Sequence, residues 1–270
     1  MSNEDSAEQL VEHIIRLVPK WRRASIRNVE YLAGGYSNRN YRFDVAGDAF
    51  VIRVVDSRPH ARDAEQRYLN ASSAPDVVAF DSTSGNMITR WIDGALLAHE
   101  PASPNEGAAY LQTLHARTPV GISTYDPRAA IATFDATTKW LELLNTIGWA
   151  PKSICGCHND LNPWNIIRDG NDWRTLDWEV GGDNDPMFDV VGFAYGAEYS
   201  EVDFDRCVAA YFDDGFEPAH LRATCVVFQL REHTWALDQI SKGNDRAEIL
   251  LQAVRTDQEL ARLTAASPSS

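Results

Sequence analysis

The side chains best suited to chemistry are concentrated in His158-Asn-Asp-Leu-Asn-Pro-Trp-Asn165 and in Thr175-Leu-Asp-Trp-Glu179. Phosphoryl transfer needs a carboxylate that orients an acceptor hydroxyl and takes its proton. It also needs oxygen ligands that hold magnesium against a triphosphate. Asp160 and Asn165 stand five apart, the Asp-to-Asn spacing of a kinase catalytic loop. Asp177 follows twelve residues after Asn165, and the stretch between them reads as strand (Asn165–Arg168), turn (Gly170-Asn171) and strand (Trp173–Asp177). Such a hairpin returns Asp177 to the level of Asn165, as two ligands of one metal require. An Asp–Asn pair alone is an ordinary capped turn. The histidine two residues before it and the hydrophobic-Asp-Trp-Glu strand end set this one apart.

Two further segments suit a nucleotide. In Leu32-Ala-Gly-Gly-Tyr-Ser-Asn-Arg-Asn-Tyr41, Gly34 and Gly35 let backbone amides approach phosphates, and Ser37 and Asn38 add side-chain hydrogen bonds. An ordinary hairpin turn reads equally well there. Arg53 alternates onto the strand face opposite Phe50, Ile52 and Val54, where a cation can hold phosphates while Glu65 of the next helix holds the cation. The plainer alternative is a sheet-surface arginine paired with any acid.

These segments need elements to carry them. Ser6-Ala-Glu-Gln9 is a capping box, and Leu10, Val11, Ile14, Ile15 and Val18 repeat at helical spacing, so a helix is expected over 7–19. Strands are expected at Ile26–Leu32, around Tyr41–Val45 and Phe50–Val55 with Gly47-Asp48 as their turn, at Val77–Phe80 and at Met87–Trp91. A helix is expected over His60–Asn70. After Trp91 helices dominate: from the box Ser103-Pro-Asn-Glu106 to about 116, then near 130–147, 187–197, 201–213, 218–241 and 245–265. Residues 1–93 therefore read as a sheet-rich nucleotide lobe, and 94–270 as a helical lobe for catalysis and acceptor binding.

The composition limits the partners. A formal net charge of -14 disfavours nucleic acid and anionic membranes and favours cations. No apolar run approaches membrane-helix length, and the acidic start is unlike a signal peptide, so a cytoplasmic protein is expected. Cys155-Gly-Cys157 lacks the two-residue spacing of common zinc and redox pairs, so the four cysteines are expected as reduced core thiols.

In this order the parts resemble the aminoglycoside phosphotransferase/choline kinase superfamily, and most of all its bacterial choline/ethanolamine kinases. The likeness rests on Gly34-Gly-Tyr-Ser-Asn-Arg-Asn-Tyr41, Val51-Ile-Arg53, Arg62-Asp-Ala-Glu65, Met87-Ile-Thr-Arg90, His158-Asn-Asp-Leu161 and Asp177-Trp-Glu-Val-Gly-Gly-Asp-Asn-Asp-Pro-Met-Phe-Asp189. It implies an α+β, two-lobed, protein-kinase-like fold with an N-terminal antiparallel sheet lobe carrying one helix and a mainly helical C-terminal lobe. It implies ATP and magnesium, with Asp160 as base, Asn165 and Asp177 as metal ligands, and Arg53 on the nucleotide phosphates with Glu65 as its partner. It implies structural roles for His158 and Asp189. Arg53 stands where many relatives carry lysine; choline- and thiamine-kinase types also use arginine there.

The implied acceptor is a small-molecule alcohol, cationic in the choline case, which needs aromatic faces and a nearby acid. Glu179, Tyr195, Glu198 and Trp235 (beside Glu232) are the candidates, and Tyr199 lies near them. Trp235 also recurs with Val227, Phe228 and Leu230 at core spacing. Thiamine, an aminoglycoside, or a catalytically inactive nucleotide-binding role remain alternatives.

Overall fold

A computed structural model describes residues 6–33, 38–55, 62–71, 73–134, 138–213 and 215–265. Helix α1 (Ala7–Leu17) starts at the expected box: Ser6 accepts from the Gln9 amide and the Gln9 side chain accepts from the Ser6 amide. Its Leu10 and Ile14, with Val18 just beyond, pack on one face of an antiparallel five-stranded sheet. The strands are β1 (Ile26–Leu32), β2 (Asn38–Val45), β3 (Asp48–Val55), β4 (Val77–Phe80) and β5 (Met87–Arg90), ordered β1-β2-β3-β5-β4. Alternation fixes the faces. Tyr41, Phe43, Val45, Phe50, Ile52 and Val54 share the α1 core, while Arg53 turns the other way and is still only 5% exposed.

The β2–β3 turn differs from expectation by one residue. Val45 pairs with Asp48, so Ala46 and Gly47 form the turn, at φ 56° and 98°. Two positive φ values match the twist of a two-residue hairpin, and glycine takes the second position without strain.

Helix α2 (Arg62–Ala71) ties the sheet to the rest of the chain. Its Tyr68 and Leu69 belong to the large C-terminal core, and Tyr68 stacks on Trp178 with ring centroids 5.7 Å apart. Among the described residues the sheet lobe thus carries two α-helices where the resemblance implied one, and they serve opposite partners: α1 the sheet, α2 the C-terminal core.

Beyond it lie β6 (Ala95–Leu96), α3 (Pro104–Arg117), α4 (Pro127–Thr133), α5 (Thr138–Ile147), β7 (Cys155–Cys157), β8 (Ile166–Asp169), β9 (Asp172–Thr175), β10 (Gly182–Asn184), α6 (Pro186–Gly196), α7 (Glu201–Phe212), α8 (Pro218–Ser241) and α9 (Ala247–Thr264). The helix expected at 130–147 is two helices. Asp126 caps the Arg128 amide, Pro127 opens α4 one turn early, and Phe134 closes it. Strands β6 and β10 are too short to leave a periodic trace. Every residue of α6 from Pro186 to Ala194 is buried, which makes it the centre of the C-terminal core. Among the described residues no helix is long and apolar enough to cross a membrane.

Candidate active site

Strand β7 runs directly into the loop that carries Asp160, and one carboxylate fixes its course. Asp189 Oδ2 accepts from the His158 amide at 2.7 Å and from His115 Nε2 at 3.0 Å, and its Oδ1 accepts from the Asn159 amide at 2.7 Å. His158 then spans the loop: Nε2 donates to the Leu176 carbonyl at 2.7 Å, and Nδ1 accepts from the Asp160 amide at 3.3 Å. Asn159 adopts φ 67°, a left-handed conformation that asparagine tolerates. Its side chain donates to the Val180 and Gly182 carbonyls and accepts from Asn184. The two structural roles implied for His158 and Asp189 match these contacts.

Asp160 itself remains open, with its side chain 41% exposed. Asn165 closes the Pro163–Asn165 turn, and its Nδ2 donates to the Asp160 carbonyl at 3.0 Å. That bond leaves Asn165 Oδ1 free to act as a ligand. The β8–β9 hairpin forms with Gly170-Asn171 as its turn, and Ile166 pairs with Thr175. The Leu176 amide donates to the Asn165 carbonyl at 2.7 Å, so Asp177 emerges beside Asn165.

Asp177 sits at φ 58°, outside ordinary strand geometry, and its side chain is 34% exposed. Burial, with Glu179 close by, pushes its carboxyl up to about 7; Arg53 pulls the other way, and Asp160 and Glu65 add to the rise. Carboxylates held this close repel one another, and a divalent cation offsets that repulsion. The oxygen set of Asn165 and Asp177 fits magnesium, a hard cation.

A buried charge chain borders this end. Arg53 Nη1 pairs with Glu65 at 2.6 Å and reaches Asp177 Oδ1 at 3.4 Å, while Nη2 donates to the Gly85 carbonyl at 2.9 Å. Glu65 also pairs with Arg62 at 3.1 Å, and the same Arg62 nitrogen meets Glu179 at 3.2 Å. Arg62 Nε and Nη2 are buried without hydrogen-bond partners among the described residues. Gly85 is required here: at φ 80°, a Cβ on it would lie 2.7 Å from Arg62 Nε. The structure thus brings Arg53 and Glu65 together as expected and adds Arg62. Asn38 opens β2, buried, with Oδ1 unpartnered among the described residues. Gly34, Gly35 and Ser37 lie outside the described residues.

The acceptor candidates divide. Glu179 faces Arg62 and the Asp177 cluster. Tyr195 turns into the helical core, where its hydroxyl donates to Glu259 at 2.7 Å and its ring stacks on Phe228. Glu198 is exposed and pairs with Arg255 at 2.6 Å. Trp235 packs against the buried cluster of Ala236, Ile249 and Ala253 between α8 and α9.

The group that does meet Asp160 escapes sequence reasoning. Arg231 of α8 places Nη2 2.5 Å and Nη1 3.2 Å from Asp160 Oδ1, and Nη1 also donates to the Asn159 carbonyl at 3.1 Å. Its Nε lies 3.2 Å from Glu232, which also accepts from Gln252 at 2.9 Å. Tyr125 shares this field; burial pushes its hydroxyl up to about 12, against the pull of Arg231. The one sequence signal for Arg231 is a lone cation after the apolar run Cys225-Val-Val-Phe228 of a buried helix.

Residues 28–224 match the model of the phosphotransferase enzyme family. The protein LicA of Haemophilus influenzae is 23% identical over 208 residues, 66% of this chain; the chain spans only 61% of that relative's length. Among solved structures, choline kinase LicA from Streptococcus pneumoniae superposes with TM-score 0.76 at 16% identity, covering 94% of this chain and 99% of that one. An aminoglycoside phosphotransferase in ternary complex with AMP-PNP and hygromycin B superposes with TM-score 0.66 at 16% identity, covering 97% and 100%. At such identities the likeness is one of fold: α+β and protein-kinase-like, a sheet lobe followed by a mainly helical one.

Proposed function

The chain belongs to the phosphotransferase enzyme family, and we propose that it transfers the γ-phosphoryl group of ATP, with magnesium, to the hydroxyl of a small cationic alcohol of the choline or ethanolamine kind. The observation that carries the reading is the meeting of an exposed Asp160, the Asn165–Asp177 oxygen pair and the Arg53–Glu65–Arg62 chain at the junction of sheet and helices. In this reading residues 1–93 bind the nucleotide, and 94–270 supply catalysis and the acceptor site.

The roles follow from the contacts. Arg231 anchors one oxygen of the Asp160 carboxylate and Asn165 holds the Asp160 backbone carbonyl, leaving the carboxylate to accept the acceptor's hydroxyl proton as that oxygen bonds to the γ-phosphorus and the bond to the ADP oxygen breaks. Arg53, held in line by Glu65, offers charge to the phosphates, and Arg62, on the same carboxylate, adds to the positive charge behind it. Magnesium, held by Asn165 and Asp177, would neutralise triphosphate charge. Asn38 would contact the phosphates, with Gly34, Gly35 and Ser37 of the same glycine-rich segment as its partners in sequence.

The acceptor's charge is supported by the neighbourhood of Asp160. Arg231 is shared between two carboxylates, Asp160 and Glu232, so the trio carries one net negative charge. Trp235 follows Glu232 by less than one helical turn and supplies an aromatic face, and Glu198 adds an outer acid. Glu179 and Tyr195, candidates by their place in the chain, are held by Arg62 and Glu259; they belong to the frame of the site in this reading.

The test is a panel. The protein is incubated with ATP, magnesium and, separately, choline, ethanolamine, thiamine and aminoglycosides, and phosphorylated product is sought by mass spectrometry. Choline or ethanolamine phosphate is expected, and Asp160→Ala should cut its formation by ~10²–10⁴ while nucleotide binding persists. Product from thiamine or an aminoglycoside alone moves the acceptor assignment. Nucleotide binding without product on any acceptor supports the inactive module.

A further inference from the structure

Cys155 and Cys157 stand two apart on β7, so both side chains leave the same face of the strand. Their sulfurs are 3.3 Å apart. Cys155 is half-buried, and its thiol is drawn below its usual range by the hydrogen bond with Cys157 and by His115. Cys157 is fully buried, contacts the Asn184 carbonyl at 3.5 Å, and is pushed well up by burial. That asymmetry suits an accessible attacking thiolate and a protected resolving thiol. His115 lies close to both sulfurs. Its Nδ1 bonds to the Tyr211 hydroxyl and its Nε2 to Asp189, so the cluster offers a cation only two ligands. The remaining cysteines, Cys207 and Cys225, are buried with thiols pushed up to about 12, which leaves them inert.

We propose that Cys155 and Cys157 form a dithiol site which a small disulfide of the glutathione class oxidises to an intrachain disulfide, and that closing this bond displaces the start of the loop carrying Asp160. In the first step the Cys155 thiolate bonds to one sulfur of the small disulfide and expels one thiolate. In the second, Cys157 loses its proton to that thiolate and bonds to Cys155 Sγ, expelling the other thiolate, which takes a proton from water. Two protein thiols are oxidised, and one small disulfide is reduced to two thiols.

The displacement follows from reach. Two strand residues at ~3.3 Å rise lie ~6.6 Å apart, at the long edge of the ~4.4–6.8 Å span of disulfide Cα pairs. Closing the bond therefore draws the two residues toward the ~5.5–6 Å most common for disulfides. The strand has little slack. Cys157, Gly156 and Cys155 pair with Gly182, Asp183 and Asn184 of β10, and a Cβ on Gly156 would lie 2.6 Å from the Pro119 carbonyl oxygen. A shift of the strand bears directly on the His158 and Asn159 amides, which follow it and which the Asp189 carboxylate holds at 2.7 Å.

The inference is independent of the acceptor and is tested without turnover. The folded protein is treated with oxidised glutathione, alkylated, and mapped by mass spectrometry, while amide exchange is followed over 158–160. The expected product is lighter by two hydrogen atoms, both lost within the peptide holding Cys155 and Cys157. Cys207 and Cys225 should resist native alkylation, and the His158 and Asn159 amides should exchange at least roughly tenfold faster, reversed by dithiothreitol. Cys155→Ala should abolish the mass loss. A lasting glutathione adduct, no reaction, a bond to Cys207 or Cys225, exposure of those two thiols, or a closed disulfide with unchanged exchange would each overturn the proposal.

Discussion

The Arg231 guanidinium grips one oxygen of Asp160, with Nη2 and Nη1 at 2.5 and 3.2 Å from Oδ1, and leaves Oδ2 turned toward Asn165 at 3.4 Å. One carboxylate oxygen is thereby anchored and the other is left for a substrate hydroxyl. Replacing Arg231 with methionine keeps the apolar stem and removes both bonds. A hydrogen bond to a charged group contributes ~1.5–3 kcal/mol, so kcat should fall roughly 10- to 150-fold with the KM for ATP little changed. The substitution also leaves Glu232 without its ion-pair partner, which lowers stability. Adding Glu232→Gln should restore the melting temperature but not kcat. A double variant that recovers both would reduce Arg231 to a packing role.

Asp177 sets a pH dependence whose sign is fixed. Its carboxyl titrates near 7 in the fold and near ~3.9 in the unfolded chain, so from about pH 4 to 7 the native state holds a proton that the unfolded chain has released. Its contribution to stability is therefore present at low pH and lost as pH rises through about 7. Without magnesium, Asp177→Asn should flatten this part of the melting-temperature profile. With magnesium, nucleotide binding should weaken as pH falls below about 7, because the proton and the metal compete for the same oxygens. A magnesium dependence identical in Asp177→Asn and the parent would remove Asp177 from the ligand set.

Glu65 is shared by two buried arginines, Arg53 and Arg62. Glu65→Gln leaves both without their common carboxylate, a loss that typically costs ~3–5 kcal/mol for a buried pair. The melting temperature of the nucleotide-free protein should drop sharply. Part of it should return on adding magnesium and ATP, whose phosphates supply the missing negative charge. Thermal melts with and without nucleotide check this, and an unchanged melt in both would disconnect Glu65 from the phosphate site.

Trp235→Ala should raise the KM of the acceptor while sparing that of ATP, since a lost aromatic face weakens ground-state and transition-state binding alike. Steady-state kinetics with each substrate varied in turn reads this. A change confined to the KM of ATP would place Trp235 outside the acceptor wall.

The Asp160, Asn165 and Asp177 set was legible because it is local: a five-residue spacing and one short hairpin determine its geometry. The Arg53–Glu65 pair was legible from strand alternation, which isolates Arg53 from the apolar face. Arg231 was not, because its partner lies 71 residues away and only the packing of α8 against the loop reveals it. Tyr195 misled for the converse reason. It lies close to the metal-binding segment in sequence, yet the all-round burial of α6 carries its ring to Phe228 and its hydroxyl to Glu259. The turn at Ala46-Gly47 slipped by one residue because Asp48 suits a turn as well as a strand start.

The most direct test of phosphoryl transfer to a cationic alcohol compares choline with its uncharged isostere 3,3-dimethyl-1-butanol, measuring kcat/KM for each with ATP and magnesium. The two share shape and hydroxyl and differ in charge. The negative trio of Asp160, Glu232 and Arg231, with the face of Trp235, should favour choline by ~1–3 kcal/mol, roughly 5- to 150-fold. Equal kcat/KM for the two alcohols, or phosphorylation of a neutral sugar with neither alcohol touched, would contradict the cationic acceptor.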